Sequence, residues 1–212
     1  MANPWEEINL SDYENHMRLD SVRQLQVMNA FMKGQFNDYP VKSAMVLGVA
    51  GGNGLEHIDK IKYAKVYGVD INADYLRAVR ERFSDLSGIL ECIRLDLIVS
   101  YNLLPKSELL IANLLIEYIG YEVFQKTVLH VKPMYVSCVI QINTDEKIWV
   151  SDSPYLHAFD GLGAVHHQME ENALIGAMEE INYSLVTKEE MPLPNGKKLV
   201  RIDFKRRRKR RI

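Results

Sequence analysis

Ala44 to His57 reads AMVLGVAGGNGLEH, and Val66 to Asn72 reads VYGVDIN. An apolar strand runs into a glycine-rich turn, and a second apolar strand ends on Asp70. Such a turn admits a ligand close to backbone N–H groups, and a carboxylate at the next strand tip accepts hydrogen bonds from a ribose diol. The pair points to a nucleotide-like ligand. Two plainer readings stand beside it: glycines form tight strand-to-helix turns in many proteins, and Asp70 suits the N-cap of a following helix.

Outward from this stretch the chain alternates strands and helices. Upstream, Asn9 to Phe36 is expected to be helical, with Ser11 and Glu14 at capping-box spacing and Val22, Leu25, Met28 and Met32 at helical periodicity. Asp38–Tyr39–Pro40 ends it. Strands are expected at Ala44–Gly48, Lys65–Asp70, Ile89–Leu95, Glu108–Ala112 and Met134–Ile142, with helices starting near Asn53, after Asp70, and over Tyr121–Val131. The fifth strand is continuously apolar, as a strand buried on both faces is. The rhythm then changes to a helix over Ala173–Ile181 and two strands, Tyr183–Lys188 and Lys198–Phe204, around the turn-forming Pro192–Gly196. In the last strand Val200, Ile202 and Phe204 alternate with Arg201 and Asp203, the pattern of a one-sided edge strand.

The 212 residues suit one α/β domain, and 47% hydrophobic with 25% charged residues is ordinary globular composition. No apolar run approaches the length that crosses a bilayer, and the acidic MANPWEEINLSDYE start is not a secretory signal. Cys92 and Cys138 imply neither a disulfide framework nor a metal site, so a reducing, cytoplasmic setting is expected. Lys205 to Arg211 are seven consecutive cations; without them the 26 basic residues fall to 19 against 28 acidic ones. A body that acidic is not built to wrap nucleic acid broadly. The run itself reads as a solvated tail or as a phosphate-binding extension.

This order of motifs resembles class I S-adenosylmethionine-dependent methyltransferases over about Ser43 to Phe204. The resemblance implies a doubly wound, mostly parallel seven-stranded α/β sheet with a C-terminal antiparallel hairpin, helices on both faces and an N-terminal helical extension. It implies an S-adenosyl-L-methionine site built from Gly48, Ala50, Gly51, Gly52, Gly54, Asp70, Ile71, Asp96, Leu97 and Asn113. Gly52 and Gly54 would admit the methionine portion, Asp70 would hold the ribose, and Asp96 with the Leu97 N–H would meet the adenine edge. Asn113 would border donor and acceptor. Where the family often carries an acid and its first glycine, this chain has Gly48 and Ala50, which leaves the cofactor's amino group to Asn113 or Glu56. Leu114 and Leu115 replace the prolines typical of enzymes that methylate exocyclic base amines.

The division expected is an N-terminal cap (1–40), a core (41–204) with a lid at 146–168, and a basic tail (205–212). The lid carries Tyr155, His157, His166 and His167, and long connections of this kind are often binding loops. Asn113, Tyr155, His157 and His166 are the catalytic candidates, a histidine being suited to proton removal. His166–His167 lacks a carboxylate at diagnostic spacing, so no metal is expected. Trp5, Tyr13, His16 and Met17 could form the facing wall, and Glu117 and Tyr118 could line an acceptor pocket. The function expected is methyl transfer to O or N of a small-molecule acceptor, without a membrane, by a monomer or homodimer. The alternatives are a nucleic-acid methyltransferase using 205–211, a nicotinamide-dependent oxidoreductase, and a non-catalytic sensing module.

Overall fold

The computed structural model describes residues 3–143 and 149–207. Five parallel strands form its centre: β1 (Ser43–Leu47), β2 (Lys65–Asp70), β3 (Leu90–Arg94), β4 (Leu109–Asn113) and β5 (Tyr135–Ile142). The hairpin β6 (Tyr183–Pro192) and β7 (Lys198–Arg206) completes a seven-stranded sheet of order β3-β2-β1-β4-β5-β7-β6, with β7 antiparallel to both neighbours. This is the expected architecture. The chain steps outward from β1 through β2 to β3, then returns to β4 on the other side of β1. A crevice opens at such a switch point, beyond the carboxyl ends of β1 and β4.

Helices cover both faces. On one lie α2 (Gln24–Asn37) and α3 (Ala73–Arg82), whose Met32, Phe36, Leu76 and Val79 pack on Ala44, Val46, Leu109 and Ile111. On the other, Phe124 and Val128 of α5 (Ile116–Val131) and Leu174 and Met178 of α6 (Glu171–Glu180) bury Met45, Leu110, Cys138 and Ile202. The alternating inward residues of each strand thus divide the core into two layers. Among the described residues no helix is long and apolar enough to cross a membrane.

Three local expectations are corrected. The single helix expected over Asn9–Phe36 is two, α1 (Leu10–Arg18) and α2, separated by a turn that buries Val22 and carries Arg23 at φ 57. Asn9 caps α1 through Ser11 N–H at 2.9 Å, while Glu14 leaves any capping box to pair with Arg82. The helix expected near Asn53 is one 3-10 turn, Leu55–His57, and α2 covers the sheet there instead. The last strand is not one-sided: β7 is an inner strand, and Arg201 and Asp203 are buried because they neutralise each other across 2.5 Å. β7 continues through Arg206, so the basic run begins inside the sheet; residues 208–212 lie outside the described residues, as do 146–148 of the expected lid.

Candidate active site

The strand tips build a cleft with about 720 Å³ of empty space, the open solvent at its mouth included. Gly48 and Ala50 of the β1 loop face Asp70 and Ile71 of β2 across it, Asp96 and Leu97 close one end, and Asn113 closes the other. Ala50 and Leu114 hold φ of 46 and 50, so both central strand tips spend non-glycine residues on left-handed backbone. Such strain persists where the surrounding fold over-determines it, often at binding sites.

Asp70 does not cap α3; Asn72 does, accepting from Asp74 N–H and Tyr75 N–H. The Asp70 carboxylate instead accepts from Ala50 N–H and Asn72 N–H, each at 2.9 Å. One residue thereby ties the β1 loop to the β2 tip and keeps lone pairs for a ligand. Burial raises its pKa, and the backbone N–H groups of Asn72, Ala50 and Ile71 oppose that rise. Asp96 lines the cleft and also caps α4 (Leu97–Ser100), accepting from Ile98 N–H at 2.8 Å. Tyr75 and Trp5 line the same cleft, and Tyr75 OH and Trp5 Nε1 are buried with no partner among the described residues. Unanswered buried polar groups call for a ligand or water.

Two further hollows share walls with the cleft. One, of about 480 Å³, adjoins it at Tyr13, Gly48, Ala50 and Asn113 and is lined by Glu14, Gly51 and Asn53. Gly52 and Gly54 line none of these spaces: a Cβ on Gly52 would meet Phe83 and one on Gly54 would meet Met32, so their own neighbours fill the approach expected for the cofactor. Glu56 is also elsewhere, accepting from Gly54 N–H and Asn29. Glu14 of α1 stands in this hollow and pairs with Arg82, which donates to Gly51 O at 2.9 Å.

The other hollow, of about 520 Å³, adjoins the cleft at Trp5, Tyr13, Leu114 and Tyr118. It is a chamber between α1, the first turn of α5 and the segment before α6, whose Phe159 and Leu162 pack with Ile8. Trp149, His16, His166, Gln141 and Glu117 line it. His166 stacks on Trp149 at 4.0 Å, and His16 Nδ1 lies 2.7 Å from Ser153 Oγ. Burial, then neighbouring charge, lowers both imidazoles to about 4, so both are neutral near pH 7. Glu117 goes the other way: burial raises its carboxyl to about 8, and Oε2 has no partner among the described residues.

The structure therefore gathers only some of the catalytic candidates. His166 lines the chamber. Asn113 borders the cleft, yet its amide is held in a reciprocal pair with Gln35, at 2.8 and 2.9 Å, and against Met32 Sδ. His157 is exposed beside Asp160, and Tyr155 packs within the lid cluster; neither lines a hollow. Tyr75, Trp149 and Gln141 were not singled out by sequence. Tyr75 reads as an ordinary member of the α3 face, and Gln141 as the end of an apolar strand. No group of three or more metal-ligating side chains occurs among the described residues.

No family model matches the sequence, and no curated protein matches it. Solved structures do resemble it. Magnesium protoporphyrin IX methyltransferase from Synechocystis PCC 6803, with bound SAH, is 12% identical and superposes with a TM-score of 0.62 over 92% of this chain and 87% of that one. The N-methyltransferase NodS from Bradyrhizobium japonicum WM9 is 12% identical, with a TM-score of 0.62 over 90% of this chain and 100% of that one. The [4+2]-cyclase SpnF is 7% identical, with a TM-score of 0.66 over 89% and 84%. The fold is that of class I SAM-dependent methyltransferases along about nine-tenths of the chain. The cyclase on the same fold means that the chemistry must be argued from the site.

Proposed function

We propose that this protein binds S-adenosylmethionine in the cleft and transfers its methyl group to N or O of a small acceptor held in the aromatic chamber. The observation that carries this reading is the placement of Asp70, at the tip of β2, in the same cleft as the Gly48–Ala50 backbone at the tip of β1. The residues fit the cofactor. Asp70 has free lone pairs for the ribose hydroxyls, Asp96 and the Leu97 N–H flank an adenine, and the hollow beside Glu14 suits an amino-acid arm. Glu14 then supplies the acid missing at Gly48, from α1 rather than from the β1 loop.

A sulfonium carries a methyl already activated for displacement. The chain's task is alignment, exclusion of water and, where the acceptor carries a proton, its removal. Trp5 and Tyr13 stand in the walls of both cleft and chamber, so the acceptor and the cofactor's reactive end would meet beside them. The chamber's size, about 520 Å³ with the open solvent at its mouth included, favours a small acceptor. Lys205, which opens the basic run, lies far from this site. Lys205 pairs with Tyr135 at the start of β5, whereas the cleft lies beyond the other end of the parallel strands, about 25 Å away along an eight-residue strand.

Titration calorimetry with S-adenosylhomocysteine tests the reading. Wild type binds, and Asp70→Asn, which replaces a charged acceptor, weakens binding on the order of 10- to 100-fold. Absence of binding to the wild type overturns it.

A further inference from the structure

We propose that the chamber is an amine-binding site and that Glu117 is the group that exchanges a proton with the bound amine. As regards methyl transfer to that amine, the inference rests on the function proposed above; as regards binding, it stands alone.

The argument starts from what is left unanswered in the chamber. Gln24 and Gln141 bond each other, and Gln141 Nε2 also donates to Asn143 Oδ1 at 2.6 Å and Trp149 O at 2.8 Å. His16 is matched with Ser153, and Ser151 Oγ accepts from Asn195 at 2.6 Å. Glu117 Oε2 and Trp5 Nε1 are the buried side-chain atoms lining this space that have no partner among the described residues. An acceptor left dry in this way costs stability until a donor arrives.

The backbone holds Glu117 in place for such a donor. The first turn of α5 stops at Gly120, whose φ of 72 and ψ of 165 break the helix, and His167 N–H donates to Glu117 O at 2.6 Å. Glu117 is 5% exposed, so whatever donates to it, water in the chamber or a ligand that displaces that water, enters through the chamber.

The walls select the kind of donor. Trp5 meets Tyr118 edge to face at 4.8 Å, Tyr118 meets Trp149 at 6.3 Å, and Phe159 and His166 continue the ring. Aromatic rings lining the same space as a carboxyl favour a cation there once the carboxyl is ionised. No arginine lines the chamber. The nearby cation, Lys197, directs its ammonium to Trp149 O at 2.7 Å and Ser151 Oγ at 3.4 Å. An anionic acceptor would find that cation already committed to Trp149 O and Ser151 Oγ, and would be repelled once Glu117 ionises. An alcohol could donate one hydrogen bond but would gain nothing from the rings as a cation does. A primary or secondary amine answers both features.

The titratable groups around Glu117 agree. His16 from α1 and His166 from the lid are neutral near pH 7, Lys197 from the hairpin turn is lowered to about 8 by burial, and Tyr13 and Tyr118 are held protonated. Glu117, at about 8, is the carboxyl that can take a proton from an ammonium, while Lys197, also near 8, keeps its ammonium on Trp149 O and Ser151 Oγ. In the reaction the ammonium proton passes to Glu117 Oε2. The amine nitrogen's lone pair forms the N–C bond while the C–S bond breaks, its electrons staying on sulfur as a thioether. The product leaves as a methylammonium, and Glu117 returns its proton to solvent.

Both tryptophans of the chain, Trp5 and Trp149, line the chamber, so intrinsic fluorescence reports its occupancy without any cofactor. The full chain is titrated with phenethylamine and 1-propylamine, and with 2-phenylethanol and 1-propanol, from pH 6 to pH 8. The expected result is that at least one amine binds tenfold or more tightly than its alcohol, and that its affinity rises about tenfold per pH unit below pH 8 as the carboxyl ionises. The alcohols show no such slope. Glu117→Gln loses both the preference and the slope while S-adenosylhomocysteine affinity by calorimetry stays within twofold. Alcohols binding as tightly as amines, or a wild-type amine affinity that is flat with pH, overturns the proposal. Amine binding without S-adenosylhomocysteine binding would leave the amine site standing and remove the methyltransferase reading.

Discussion

Glu117 costs the fold something it does not recover until a ligand arrives. Its carboxyl is raised by burial from about 4.5 to about 8, so between these values the native state keeps a proton that the unfolded chain has released. The folded protein then binds more protons than the unfolded one, and stability falls as pH rises through that window. Below it the group is neutral in both states and contributes no slope. Glu117→Gln removes the titration, so the variant is expected to gain on wild type progressively from pH 5 to pH 8, by a few kcal/mol at the upper end. Urea unfolding at several pH values measures it; parallel pH profiles for the two proteins would show that Glu117 titrates like a solvated side chain. His16 and His166 act in the opposite sense and at a different place. Both are lowered to about 4, so the stability they confer as neutral groups is lost as pH falls from about 6.5 towards 4. The Glu117 effect is therefore read above that range, where the two imidazoles are silent.

Among the elements, β7 shows how a charged pair is admitted to an interior. Arg201 Nη2 reaches Asp203 at 2.5 Å and Asp38 at 2.7 Å, and Tyr39 OH donates to Asp203 at 2.5 Å. Ser137, bonded to Asp203, receives Gln35 Nε2 at 2.8 Å, and Gln35 clasps Asn113 at the mouth of the cleft. The chain of bonds runs from the hairpin to the site. Removing one charge strands the other: Arg201→Ala is expected to cost about 3–5 kcal/mol, or about 6–20 °C in melting temperature for a domain of this size. Asp38 is half exposed, and Asp38→Ala is expected to cost about 1 kcal/mol or less. Calorimetric melting of the two variants checks the contrast, and equal losses would deny the buried pair its role. This strand also marks where sequence ran short. Alternation of Val200, Ile202 and Phe204 with two charges is the signature of a half-exposed strand, and nothing in that local pattern says that the turn after α2, far upstream, supplies Tyr39 and Asp38 to the polar side. The missing helix after Asn53 has the same cause. The strands, their order of appearance and the hairpin were legible because apolar runs and turn residues are local. The position of Asp70 and Asp96 at the cleft was legible because they end strands. The packing around Gly52 and Gly54 was not, since Phe83 and Met32 reach them only through tertiary contacts, and the chamber was not, since α1, α5 and the segment before α6 meet only in the folded chain.

At the scale of the molecule, the N-terminal segment is fastened across the strand tips by side chains that belong to the core. Arg94 pairs with Glu6 at 2.8 Å, Asn72 donates to Trp5 O at 2.9 Å, and Arg82 grips both Glu14 and Gly51 O. Trp5 and Tyr13 are thereby held over a cleft whose floor is the β-sheet's switch point. A ligand in that cleft touches residues from the cap, the β1 loop, β2 and β4 at once, so its binding energy is felt by the cooperative fold rather than by one loop. A ligand that binds the native state alone stabilises it by mass action, about 2.7 kcal/mol at a hundred times its dissociation constant. For a chain of 212 residues that is a rise of about 5–10 °C in melting temperature. S-adenosylhomocysteine is expected to produce it, and Asp70→Asn to reduce it at the same ligand concentration. NADH separates this reading from a nicotinamide enzyme, which shares a glycine turn and a strand-end acid. Its adenosine half can be offered the same Asp70 and Asp96, but its second ribose and nicotinamide must pass Trp5, Tyr13 and Tyr118, which instead wall the chamber. No shift is therefore expected with NADH under conditions that give the full shift with S-adenosylhomocysteine. The reverse order of shifts would return the cleft to a dinucleotide and leave Glu117 without a methyl acceptor to serve.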